Sequence, residues 1–182
     1  MNSESGKSTT NPSSLRRIGS PQQLSREMGS RWGPDAGPLF FSRFEHTLDD
    51  EGHLIIPAKY RAILATGVVI TRGIDPCLCV YPLVRWEQLA ENMHQLPMTR
   101  KDARRFALFM FAEAADCIPD KEGRMLIPPA LRAYANLDHE VITIGVNDHL
   151  EIWNPDAYRQ LNSRLEQDAD SLAEKLYELG IL

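Results

Sequence analysis

Two cysteines two residues apart, Cys77 and Cys79, a third at Cys117 and a histidine at His149 are the side chains best suited to metal or thiol chemistry. Strand alternation puts Cys77 and Cys79 on one face. A metal site would need further ligands; His149 is the suggestive one, and no C-x-x-C pair is present. Buried, inert thiols are therefore the favoured reading, and no metal is expected. The carboxylates Asp49, Asp50, Asp116 and Asp120 could be imagined as a pair for acid–base work. Asp49 and Asp120, however, each stand three residues before a glycine, Gly52 or Gly123. Asp favours a turn there by accepting from nearby backbone N–H groups, and the turn is the favoured reading. There is no G-x-S-x-G, no Ser or Cys in an activated setting, and no glycine-rich phosphate loop before a helix. Neither an enzyme nor a nucleotide cofactor is expected.

The cations say more. From His53 through Ile74 there is no Asp or Glu, while Lys59, Arg61 and Arg72 are present, and Arg100 to Arg105 reads RKDARR. The segment from Asn154 to Leu182 is net acidic. Overall charge is −5, which argues against indiscriminate polyanion binding without excluding a basic face. Two readings stand: cations that neutralise DNA phosphates or reach guanine in the major groove, and a solvated face with ordinary salt bridges.

These residues must be positioned by a duplicated module. DDEGHLIIPAKYR, Asp49 to Arg61, is repeated as DKEGRMLIPPALR, Asp120 to Arg132. After a one-residue shift, GIDPCLCVYP (Gly73 to Pro82) lies over GVNDHLEIWN (Gly145 to Asn154), and Trp86 and Leu89 lie over Tyr158 and Leu161. Each copy predicts an opening strand (40–48; 114–118), an acid-x-x-Gly turn and a short apolar strand (54–56; 125–127). Proline then stops the strand and opens a short helix (58–64; 129–135). Two β-branched strands come next (68–71 with 78–81; 141–144 with 150–153), and a longer helix closes the copy. The first closing helix is expected from Val84 to Leu96, and the second from Asn154 to Leu179 with a break near Asp168. Between the copies, Thr99 at N-cap and Asp102 at N3 predict a capping-box start to a helix carrying Phe106, Phe109 and Met110 on one face. Neither copy has enough strands to stand alone in water. The fold class expected is α+β, mainly β: two β-β-α-β-β repeats interleaved into one pseudo-twofold barrel that leaves no exposed edges.

The divisions expected are a disordered amino-terminal extension (1–38), repeat one (39–90), a connecting helix (91–112), repeat two (113–161) and a helical end (162–182). Residues 1–38 are rich in Ser, Gly, Pro, Asn, Thr and Gln without apolar period. No apolar run approaches the roughly 20 residues of a membrane helix, no secretory signal is visible, and three cysteines suit a reducing cytoplasm.

The strings LDDEGHLIIPAKYR, GIDPCLCVYP, WEQL, DKEGRMLIPPALR and GVNDHLEIW together resemble the MraZ family, built from two SpoVT-AbrB-type modules. The resemblance spans about Leu39 to Leu161. It implies a swapped-hairpin, double-psi-like barrel and a ring-forming, cytoplasmic, nucleoid-associated transcriptional regulator. Its partners would be further copies of itself and double-stranded DNA, at short direct G-rich repeats upstream of the division and cell-wall gene cluster that contains its own gene. The cluster is typically repressed. The family's D-x-x-x-R mark is present from Asp120 to Arg124, but the first copy runs from Asp49 to His53. Expected DNA contacts are His53, Lys59, Arg61, Arg72, Arg124 and Arg132, on turns built by Asp49, Gly52, Asp120 and Gly123. The alternative is a barrel-type protein–protein adaptor without DNA binding.

Overall fold

The computed structural model describes residues 39–97 and 99–181; the expected amino-terminal extension lies outside them. The first copy supplies β1 (Arg43–Thr47), β2 (His53–Ile55), α1 (Ala58–Leu64), β3 (Val68–Arg72), β4 (Cys77–Pro82) and α2 (Leu83–His94). After α3 (Lys101–Phe111), the second supplies β5 (Ala115–Cys117), β6 (Arg124–Leu126), α4 (Pro129–Tyr134), β7 (Glu140–Val146), β8 (His149–Trp153) and α5 (Pro155–Glu178). The repeated order of elements mirrors the repeated sequence. Pro57 and Pro128 stand at the N-caps of α1 and α4 with nearly identical backbone angles, φ −50 ψ 132 and φ −56 ψ 145. At that position the missing N–H removes no helical hydrogen bond.

Two helix expectations are corrected. The N-cap of α3 is Arg100, without a side-chain cap, so Thr99 builds no capping box. The closing helix α5 is unbroken through Asp168. Its start is fixed by Asn154, whose Oδ1 accepts from the backbone N–H groups of Asp156 and Ala157 at 2.9 and 3.1 Å. From Asp156 to Glu178 the helix contains no proline or glycine that could break it.

The copies exchange strands. A six-stranded antiparallel sheet runs β1-β7-β8-β4-β3-β5, and β2 pairs with β6 in a separate ribbon. Thus β1 of the first copy edges the second copy's hairpin, and β5 of the second edges the first copy's hairpin. Exchanging the copies maps this pairing scheme onto itself. A pseudo-twofold axis must then pass between β4 and β8, where Cys79 opposes Glu151, and through the ribbon, where Leu54 opposes Met125. Among the described residues no ladder joins β1 to β5, and the ladders do not close a barrel. The ribbon closes the core by packing instead. Leu54, Ile56, Met125 and Ile127 share one buried cluster with Val68, Ile70, Leu78, Val80, Leu150 and Ile152 of the sheet. The other face of the sheet carries a smaller cluster of Cys77, Ile142 and Trp153, packed against Ala157, Tyr158 and Leu161 of α5.

Candidate nucleic-acid interface

The two acid-x-x-Gly turns are built alike. Asp49 Oδ1 accepts from the backbone N–H of Glu51 at 3.1 Å and of His53 at 2.7 Å. Asp120 Oδ1 accepts from those of Glu122 at 3.0 Å and Arg124 at 2.8 Å. Gly52 and Gly123 close the turns at φ +94 and +81, a region costly for any residue with a Cβ. The second carboxylate oxygen holds the side chain that distinguishes the copies: Arg124 Nε donates to Asp120 Oδ2 at 2.7 Å, and His53 Nδ1 lies 3.0 Å from Asp49 Oδ2. The backbone hydrogen bond from Arg124, reinforced by its guanidinium, holds the Asp120 carboxyl down at about 2. Asp49 is lowered in the same way, first by the His53 N–H. Asp120 in turn raises Arg124, keeping it a permanent cation. These carboxylates are therefore occupied as turn acceptors.

Each turn is locked to the other copy. Ile56 N–H donates to Gly123 O at 2.8 Å and Ile127 N–H to Gly52 O at 3.0 Å. Arg61 of α1 lies over Gly123 and Arg132 of α4 over Gly52, so close that a Cβ on either glycine would sit within 2.8 Å of the arginine. Arg61 Nε donates to Ile56 O at 2.9 Å, whereas Arg132 Nε is buried without a hydrogen-bond partner among the described residues. The ribbon turns Leu54 and Met125 inward and leaves His53, Ile55, Arg124 and Leu126 on its outer side; Ile55 and Leu126 are 47% and 46% exposed. Four of the six expected contact residues, His53, Arg61, Arg124 and Arg132, thus gather around one ribbon.

The other two are engaged elsewhere. Lys59 Nζ donates to Phe41 O at 2.7 Å and lies 4.1 Å from the Phe41 ring centroid, pinning the segment before β1. Arg72 donates to Phe109 O from Nε and Nη2 at 3.1 and 2.5 Å and lies over the Phe109 ring, tying β3 to α3.

The sheet face away from the main core holds a second polar group. Cys77 and Cys79 are 1% and 7% exposed, and their sulfurs lie with a Glu151 carboxylate oxygen within 4.8 Å of one another. Cys117 packs against the main core instead. His149 stacks on Tyr81 with ring centroids 4.7 Å apart. Its Nδ1 is 2.8 Å from Asp148 Oδ1, and its Nε2 is 3.6 Å from Glu151 Oε1. The hydrogen bond with Cys77 pulls the Cys79 thiol down to about 6 against the effect of burial, and raises Cys77. Burial opposes charge on His149, but hydrogen bonds to Cys79, Glu151 and Asp148 outweigh it and push the ring up to about 10. Sequence reasoning found the cysteines and His149 but missed Glu151. The signal was the alignment of Cys-x-Cys over His-x-Glu, which antiparallel pairing turns into a facing set.

The fold defines a protein of two interleaved modules whose duplicated turns present arginine and histidine on a shared ribbon. The MraZ family model, described as "MraZ protein, putative antitoxin-like", matches it twice, over residues 39–109 and 110–178, and the chain belongs to that family. It is 47% identical to "Transcriptional regulator MraZ" of Lactiplantibacillus plantarum over 77% of this chain and 99% of that protein. It is 43% identical to the protein of the same name from Pediococcus pentosaceus, over 79% of this chain and 100% of the relative. With the Moorella thermoacetica protein, also named "Transcriptional regulator MraZ", identity is 41% over the same shares.

Proposed function

We propose that this chain is a sequence-specific, DNA-binding transcription regulator that performs no chemistry. The observation that carries the reading is the exchanged ribbon, with Arg124 and His53 on its outer side and Arg61 and Arg132 flanking it. A two-stranded ribbon is one of the shapes the major groove admits, and an arginine there pairs with guanine O6 and N7. The flanking arginines would meet phosphates and set register. Lys59 and Arg72 act by fixing the segments they tether. In this reading the sheet curled over the ribbon is the swapped-hairpin, double-psi-like barrel that the resemblance implies.

A single ribbon offers few cations, so affinity for one DNA box is modest. Self-association supplies the rest: subunits of a ring on adjacent direct repeats make later contacts intramolecular, raising avidity by roughly 10²–10⁴ when spacing matches. Surface for such contacts exists on α3 and α5, where Phe106, Leu108, Leu165, Leu172 and Leu176 are exposed. The regulated target is the division and cell-wall gene cluster that includes the chain's own gene, repressed by a nucleoid-associated cytoplasmic protein. Among the described residues no helix is long and apolar enough to cross a membrane.

The test is titration of DNA from upstream of the gene across a series of salt concentrations. Specific retention with a steep salt slope is expected; equal, weak binding to all DNA removes the reading. The exposed Ile55 and Leu126 favour a second reading, docking of a protein on the same ribbon.

A further inference from the structure

The side chains grouped about Cys79 and Glu151 are absent from the DNA reading, and nothing in a groove-binding ribbon requires them. Two thiols from β4 lie with a carboxylate from β8 within 4.8 Å of one another, and the imidazole Nε2 of His149 lies beside that group, 3.6 Å from Glu151 Oε1. We propose that Cys77, Cys79, His149 and Glu151 bind a divalent transition-metal ion of the zinc class, across the pseudo-twofold axis. Thiolate, imidazole and carboxylate together are the donors that zinc takes in four-coordinate sites, and a thiolate-rich set disfavours magnesium and calcium.

The supporting shell is already oriented. A ligating histidine ordinarily presents its second nitrogen to a carboxylate, which fixes its tautomer. Here His149 Nδ1 is 2.8 Å from Asp148 Oδ1, and Asp148 is held by Arg85 Nη2 at 3.3 Å. That leaves Nε2 as the ligating atom. Likewise Trp153 Nε1 donates to Glu151 Oε2 at 2.8 Å, leaving Oε1 for the ion. The Tyr81 ring stacked on His149 limits its rotation. Tetrahedral bonds of about 2.0–2.3 Å hold donors about 3.3–3.8 Å apart, so the two sulfurs and the Glu151 oxygen close by roughly 1 Å, and His149 Nε2, 3.6 Å from Glu151 Oε1, must turn in to complete the set. Access comes past Glu151 and His149, whose side chains are 23% and 14% exposed.

Position gives the ion a task. Cys77 and Cys79 come from one copy, His149 and Glu151 from the other, so binding staples the two modules where β4 meets β8. The bound state is stabilised by mass action, because the unfolded chain presents no preformed site.

The experiment uses the full chain, reduced without added thiols, stripped with a chelator and titrated with cobalt(II). Expected are intense visible bands of tetrahedral cobalt with sulfur-to-cobalt charge transfer, saturating at one equivalent. Zinc should displace cobalt and raise the melting temperature. Cys77→Ser and Cys79→Ser should each lose charge-transfer intensity, whereas Cys117→Ser should keep the whole spectrum. Asp148→Asn, which disturbs only the orienting shell, should weaken binding about 10–100-fold. Should the serine variants fail to fold, the native chain and Glu151→Gln still decide the matter. The faint spectrum of octahedral cobalt on native protein, or charge transfer unaffected by both serine substitutions, overturns the proposal. So does absence of any spectral change at micromolar cobalt.

Discussion

Replacing Gly52 by alanine tests the shared turn. At φ +94 an alanine is strained whatever space surrounds it, and residues held in such regions cost of order 1–3 kcal/mol. The new Cβ would also lie 2.6 Å from Arg132 Cζ and 2.8 Å from its Nε. That contact is relieved by moving the end of a flexible side chain, so the backbone should supply most of the loss. For a folded region of this size, 1–3 kcal/mol corresponds to a fall in Tm of roughly 2–12 °C. Urea denaturation should show a lower midpoint at an unchanged slope. Gly123→Ala, at φ +81 beneath Arg61, should behave alike. A double-mutant cycle separates the causes. In an Arg132→Ala background the clash is gone, yet Gly52→Ala should retain most of its effect. A loss below about 0.5 kcal/mol, the range of neutral surface substitutions, would refute the claim that left-handed backbone makes this glycine obligatory. A loss that vanishes in the Arg132→Ala background would assign the cost to the arginine.

The same geometry sets other outcomes. His53→Arg should strengthen operator binding, with a guanine-directed pair contributing about 1–3 kcal/mol of discrimination, measured by titration with oligomer mass checked in parallel. Equal affinities for native, His53→Arg and His53→Ala proteins would take the first turn off the DNA. Arg72→Ala should lower stability by about 1.5–3 kcal/mol through the lost bonds to Phe109 O, while leaving the salt slope of DNA binding unchanged. Asp120 has its carboxyl held below the ordinary 3.8, so its contribution is present above that pH and lost as pH falls toward about 2. Denaturation curves of native protein and Asp120→Asn should differ near neutrality and converge in acid. Leu172→Glu with Leu176→Glu should shift the light-scattering mass toward monomer if α5 carries a subunit contact.

The elements were legible because each copy confirmed the other. A lone LIIP or MLIP is too short to assign, but a proline after three apolar residues at the same place in both copies placed β2, β6, α1 and α4 nearly to the residue. Pairing was harder to read. Interleaving could be inferred from copies too small to stand alone, but nothing local in β2 or β6 states that these strands leave the sheet and pair with each other. Of the site, Asp49 and Asp120 were readable from turn chemistry. The engagement of Lys59 and Arg72 was not, because their acceptors are main-chain carbonyls of Phe41 and Phe109, and a carbonyl leaves no mark in sequence. Glu151 escaped notice for a similar reason: its neighbours come from the facing strand of the other copy.

Duplication within one chain also explains where the copies differ. In a symmetric pair of identical modules, a residue on the twofold axis meets itself, so a thiol must face a thiol and a carboxylate a carboxylate. Two carboxylates at that distance would resist joint ionisation. Fusion removes the restriction, and here Cys79 faces Glu151 while Leu54 faces Met125. The turn residues show the same freedom away from the axis: both keep the aspartate and glycine that their backbone requires, while the side chain held by the carboxylate is Arg124 in one and His53 in the other. A ribbon with two unequal ends has a direction. If the ribbon reads DNA as proposed, its box need not be palindromic, and successive subunits of the proposed ring would favour boxes repeated head to tail. Scrambling the orientation of one box in a direct repeat should therefore cost the avidity gain while leaving single-box affinity intact, measured on one- and two-box DNA. Equal two-box affinity in either orientation would mean that the ends are read alike, and that the difference between His53 and Arg124 has no consequence at the DNA.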